Sequence, residues 1–155
     1  MTDTYSLVEA TVKVIQERRS IREYTADPIS DEMLDIILEA ARLAPSGENA
    51  QPWRFIIVKD EDMRKKMGAL GGGGSSRRFT AEFVTQKMQE RFSSLQDEEK
   101  KKAAFQQLTS GQVSAFAATA PVNIVVCGKK DVWDMPYDTS AAIENMLLMA
   151  TALGL

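Results

Sequence analysis

Ala44-Pro45-Ser46-Gly47-Glu48-Asn49-Ala50-Gln51-Pro52-Trp53-Arg54-Phe55-Ile56-Ile57-Val58, residues 44–58, decides how this chain is read. Phe55 to Val58 is a short run rich in β-branched residues and predicts a buried strand. The residues before it cannot form a regular element. Pro45 and Pro52 fix the path at both ends, and Gly47 lets the backbone turn tightly. Ser46, Asn49 and Gln51 offer donors and acceptors suited to the edge of a heteroaromatic ring, which presents both kinds. The plainer alternative is a helix-to-strand loop whose Ser and Asn cap their own backbone. On composition the two readings weigh equally. Trp53 reads as a core or interface anchor in preference to a stacking platform.

Upstream, Met33, Leu34, Ile37, Leu38, Ala41 and Ala44 recur at three- and four-residue spacing and predict a helix. Ser30 is its expected N-cap, Asp31 and Glu32 suit the dipole of its first turn, and Pro45 closes it. An earlier helix is predicted from Ser6 to about Glu17, with Leu7, Val8, Val12 and Ile15 largely on one face. At its end stands Arg18-Arg19-Ser20-Ile21-Arg22. If the chain leaves the helix extended, Arg18, Ser20 and Arg22 project to one side, because side chains alternate along a strand. Two guanidinium groups and a hydroxyl on one face suit a phosphate. The plainer reading, and by itself the better supported, is that these arginines satisfy the helix's last carbonyls.

Downstream, Asp60 to Leu70 predicts a short helix closed by Gly71-Gly72-Gly73-Gly74, a run expected to form a mobile loop because four glycines lose much entropy on ordering. Thr80 to Gln107 is charged, with Phe83, Val84, Met88, Phe92 and Leu95 as a sparse apolar stripe, and predicts one or two peripheral helices. Val122 to Cys127 is a second strand candidate, started by Pro121. Thr139 to Leu153 is apolar nearly all round, so a helix there must be covered on several sides. In so small a chain, part of that cover would come from a partner subunit.

The chain has 155 residues, 44% of them hydrophobic and 26% charged, which fits one globular domain spanning 1–155. A net charge of -3 and the lack of aromatic residues interleaved with Arg18 to Arg22 disfavour a nucleic-acid module. There is no histidine. That removes Ser-His and Cys-His hydrolytic constellations and most zinc sites, so an enzyme built here borrows its reactivity from a cofactor. The single cysteine, Cys127, forms no internal disulfide and reads as a small core residue. No targeting segment or membrane-length apolar run is present, and a cytoplasmic location with no membrane partner is expected.

RRSIREY, followed after one amphipathic helix by APSGENAQPWRFIIV, resembles the nitroreductase-like FMN-dependent oxidoreductases. The Pro-Ser-Gly form with RRSIR is most similar to the branch that contains iodotyrosine deiodinase. APVNIVVC resembles the family's internal strand, and Asp138 through ENMLLMATALGL its long buried interface helix. The likeness runs from about Val14 to the last residue, weaker between Gly71 and Gln112. It implies an α+β fold, a mixed sheet flanked by helices, in an interwoven homodimer holding FMN at the interface. It assigns Arg18, Ser20 and Arg22 to the phosphate and ribityl end, with Arg19 beside them through its backbone. Pro45, Ser46 and Gly47 would approach the isoalloxazine and Asn49 would bond its polar edge, with Gln51 a weaker assignment.

The function implied is ping-pong oxidoreduction: NAD(P)H reduces the flavin and leaves, and a small organic acceptor (nitroaromatic, quinone or halogenated aromatic) takes its place. In the deiodinase-like branch a lid grips the substrate. Glu82, Lys87 and Glu90 fall in the corresponding region, but no tyrosine lies between Tyr24 and Tyr137. A solvated helix face is the better reading, and no substrate residue is assigned. Family members continue beyond the position of Leu155, so the last helix is expected to leave its final carbonyls uncapped and a sheet position vacant. The competing reading of another class is a truncated, non-catalytic flavin-binding or structural remnant.

Overall fold

The computed structural model describes the backbone of residues 4–84, 90, 93 and 96–155, and their side chains except at positions 4, 83, 84, 113 and 114. The chain divides into two compact units. The first comprises Met1–Ile21, Pro28–Ile57 and Ile124–Leu155, and the second Arg22–Asp27 and Val58–Asn123.

In the first unit, α1 (Thr4–Glu17) and α2 (Asp31–Arg42) precede strand β1 (Trp53–Val58). Ser30 caps α2 as expected, its Oγ accepting from Met33 N–H at 3.2 Å. Leu34, Ile37 and Ala41 are the buried stripe of α2. β1 pairs with β2 (Asn123–Gly128) in a two-stranded sheet. Lys129 N–H donates to the Pro52 carbonyl at 2.9 Å, so the start of β1 lies against the end of β2. The mixed α and β content agrees with the expected class, but helices dominate and the sheet among the described residues is small.

Ile37, Ala41, Ala44, Trp53, Ala142 and Met146 form the core, with Phe55, Ile124 and Val126 packed against it. Trp53 is therefore a core anchor. Strand alternation, which turns Ile124 and Val126 inward, turns Cys127 out. Cys127 is exposed, which corrects its reading as a core residue.

The apolar C-terminal helix, α5 (Met135–Ala152), starts one turn before the predicted Thr139. Pro136 allows this, because a proline in the first turn removes a donor that would have no helical partner. Ala142 and Met146 are buried while Ile143 and Leu147 are exposed, so the described residues leave part of α5 uncovered. Asn145 Nδ2 ties α5 to α2 by donating to the Ala40 carbonyl at 2.9 Å. The end of α5 is closed, contrary to expectation. Gly154 turns left-handed at φ 76°, Gly154 N–H donates to Thr151, and Leu155 N–H reaches Ala150. That double bond pattern satisfies the Thr151 and Ala150 carbonyls within the chain.

In the second unit, α3 (Glu61–Val84) continues through Gly71 to Gly74 without a break, so the predicted loop is helix. Close packing is the reason at one position. A Cβ on Gly72 would lie 3.0 Å from the Gly111 carbonyl oxygen, so the helix backbone rests directly on the Gly111 turn. Gly68 meets Ala118 in the same way, its added Cβ falling 2.6 Å from the Ala118 methyl. Nothing in the structure explains Gly73 and Gly74. Beyond lie α4 (Glu98–Thr109), capped by Asp97, and a 3-10 segment, Gln112–Ala118. Arg64 Nη1 donates to the Ala120 carbonyl at 2.6 Å, and the Tyr24 and Phe116 rings meet at 6.4 Å between centroids. Of the apolar stripe predicted here, Met88, Phe92 and Leu95 lie outside the described residues, as do the side chains of Phe83 and Val84.

Gly111 carries a testable consequence. Its φ is 81°, and a Cβ there would stand 2.7 Å from the Gly72 carbonyl oxygen. Gly111→Ala combines left-handed strain with a backbone clash, and is expected to destabilise the chain by about 2 kcal/mol or more in urea unfolding. An unchanged midpoint would show that the α3 contact is not tight.

Candidate functional site

The loop between α2 and β1 departs most from ordinary backbone geometry. Glu48, Asn49 and Gln51 have φ of 51°, 55° and 44°, the positive-φ non-glycine residues among those described. Left-handed backbone costs a non-glycine residue on the order of 1–3 kcal/mol, least for asparagine, and persists only where the surroundings enforce it. Such strain is often found at sites where a ligand is held.

Several contacts enforce it. Asn49 N–H donates to the Ser46 carbonyl at 3.1 Å and Ala50 N–H to the Gly47 carbonyl at 2.9 Å. The Ser46 hydroxyl oxygen accepts from Gln51 N–H at 3.1 Å. Gln51 Nε2 donates to Asn49 Oδ1 at 3.2 Å. Part of the plainer reading thus holds, since Ser46 does cap its own loop. The longest-range tie runs to α5: Gly47 N–H donates to Asp138 Oδ1 at 3.1 Å. A Cβ on Gly47 would fall 2.6 Å from Oδ2 of Asp134, the residue before α5, so the glycine lets the loop lie close to the start of α5 with Asp134 in its present position. Ser46 and Gly47 are half-buried, while Pro45, Asn49 and Gln51 are exposed.

Asp138 is 5% exposed and the one buried polar or charged residue among those described. Its position in the first turn of α5 suits the helix dipole. In the sequence Asp138 stands out only as the start of a buried helix and not as a site residue. The available signal was a carboxylate at the start of a largely apolar helix.

Arg18, Arg19 and Ser20 follow α1 in non-helical backbone; Arg18 is half-buried and the other two are exposed. Arg19 Nη1 donates to the carbonyls of Gln16 at 2.6 Å and Arg18 at 2.9 Å. The helix-capping role weighed for this cluster is therefore performed by the Arg19 side chain. Arg22 is exposed and belongs to the short segment grouped with the second unit. Glu82, from the region compared with a lid, accepts from Arg78 Nε at 2.9 Å, and Lys87 lies outside the described residues.

Fold and loop together define an α+β protein with a strained polar loop held against a long helix. The profile of the nitroreductase family matches residues 15–155, and the chain belongs to that family. A protein of Archaeoglobus fulgidus, provisionally named NADH dehydrogenase/NAD(P)H nitroreductase, is 36% identical over 153 residues. That match covers 96% of this chain and 65% of the relative, so the chain spans just under two thirds of the relative's length. Iodotyrosine deiodinase 1 of Rattus norvegicus is 42% identical over 55 residues, 36% of this chain and 19% of that protein. Among solved structures, a nitroreductase with bound FMN from Desulfitobacterium hafniense superposes with a TM-score of 0.62 at 29% identity. The superposition covers 94% of this chain and 66% of that one. Among the described residues no group of three acidic or cysteine side chains could hold a metal ion, and no helix is long and apolar enough to cross a membrane.

Proposed function

We propose that residues 1–155 act as one nitroreductase-like domain that binds FMN and carries reducing equivalents from NAD(P)H to a small organic acceptor by a ping-pong cycle. The observation that carries this reading is the strained loop 46–51, pinned to α5 through Gly47 and Asp138. Its chemistry fits a flavin ring edge. Asn49 and Gln51 each bring an amide donor and acceptor, and Gly47 allows the closest backbone approach. FMN, when bound, supplies the two-electron chemistry, while the protein supplies position and electrostatics. Pro45, Ser46 and Gly47 border the ring, Asn49 bonds its polar edge, and Gln51 supports Asn49. Arg18, Ser20 and Arg22 hold the phosphate, Arg19 contributing through its backbone because its guanidinium is engaged with α1. No side chain of the site need act as an acid or base.

The exposed apolar face of α1 (Leu7, Val8 and Ile15, each more than half exposed) and the open side of α5 support a homodimer. Purified full chain supplied with FMN is expected to be yellow, to bleach anaerobically with NAD(P)H, and to regain colour with a quinone or nitroaromatic. Its solution mass is expected to be that of two chains. A protein that stays colourless with excess FMN is instead a non-catalytic remnant, and the proposal fails.

A further inference from the structure

We infer that Asp138 is the positioning residue of the 46–51 loop: its carboxylate fixes Gly47 and thereby holds Glu48, Asn49 and Gln51 in their left-handed conformations. The inference rests on the FMN reading for its functional meaning and on geometry for its structural content.

Three observations converge on it. Gly47 N–H donates to Asp138 Oδ1 across 91 positions of sequence, a tie between the loop and α5. Asp134, one helical turn before Asp138, also stands against Gly47, and a Cβ there would fall 2.6 Å from its Oδ2. Asp138 is also an expensive residue to bury. Its Oδ2 is buried and accepts no hydrogen bond among the described residues. A buried carboxylate supported by one backbone donor is less favourable for folding than an apolar group of similar size. The first turn of α5 already has its backbone link, since Asp138 N–H donates to the Asp134 carbonyl at 2.9 Å. The helix dipole favours an acid in this turn but gives the buried Oδ2 no donor, so it does not by itself account for burying a carboxylate here. A charge-assisted bond onto a strained loop does, because such bonds are about twice as strong as neutral ones.

The test compares full-length wild type with Asp138→Ala and Asp138→Asn. The asparagine keeps an acceptor facing Gly47 and removes the charge. FMN affinity is expected to fall roughly tenfold or more in Asp138→Ala. In Asp138→Asn, which keeps the acceptor but loses the charge assistance, it is expected to fall by an intermediate amount, roughly threefold. Exchange of the Gly47 amide, followed by NMR without flavin, is expected to be slow in wild type, intermediate in Asp138→Asn and fast in Asp138→Ala. If Asp138→Ala does not fold, Asp138→Ser replaces it, its oxygen ending short of Gly47. Equal Gly47 exchange in all variants overturns the inference, as does wild-type FMN affinity in folded Asp138→Ala. So does an Asp138→Asn loss as large as that of alanine. Wild type that takes up no FMN yet shows the expected exchange pattern sinks the flavin reading and leaves the positioning role standing.

Discussion

Trp53→Ala is expected to lower stability by about 3–5 kcal/mol, the cost typical of removing a buried aromatic side chain from a packed core. Trp53 is 4% exposed and joins Ile37 and Ala41 of α2, and Ala44 just beyond it, to α5 residues Ala142 and Met146. The substitution thus opens a cavity between elements as well as exposing apolar surface. It also loosens the site, because Trp53 begins the strand that follows the 46–51 loop. Urea unfolding, compared with Trp53→Phe, measures the loss; phenylalanine refills much of the volume and is expected to cost less. A loss below about 1 kcal/mol would resemble a surface substitution and contradict the core assignment.

Replacing both Arg18 and Arg22 by alanine is expected to have the largest effect on ligand binding. On the proposed reading each removes a charge-assisted contact to the FMN phosphate worth about 1.5–3 kcal/mol, so each single substitution is expected to weaken affinity about tenfold to a hundredfold. Their combination is less than additive where both share one phosphate. The effect should shrink at high salt, because exposed charges are screened. Arg19→Ala is the internal control: its guanidinium is occupied by the Gln16 and Arg18 carbonyls, so its loss is expected to touch α1 more than the ligand. Titration with FMN reads all four proteins. Affinity unchanged in both single mutants would remove the phosphate clamp from the proposed site.

Much of the local structure was legible because it is written in short-range periodicity. Ser30, the acidic pair after it, and the three- and four-residue spacing through Ala41 describe α2 closely. Both strands and the core position of Trp53 also followed from neighbouring residue types. The misreadings share another origin. Gly71 to Gly74 read as a loop because glycine's entropy cost is local, whereas the backbone contact between Gly72 and Gly111 that favours close helix packing is not. Cys127 read as core because its neighbours are apolar, while its exposure depends on which face of the sheet is covered. The end of α5 read as uncapped, although Gly154-Leu155 is itself a capping pair.

The candidate site divides in the same way. Residue types and spacing left the Arg18 to Arg22 cluster and the loop from Pro45 to Gln51 open between ligand binding and capping of their own backbone, and the family resemblance assigned them to phosphate and ring edge. They could not show that Glu48, Asn49 and Gln51 turn left-handed, since none of the three requires it by itself. Nor could they join Gly47 to Asp138, which lie 91 positions apart. Only the packing of α5 beside the loop brings that carboxylate to that amide. Local chemistry is encoded in neighbouring residues, but strain and its restraint arise where distant elements meet.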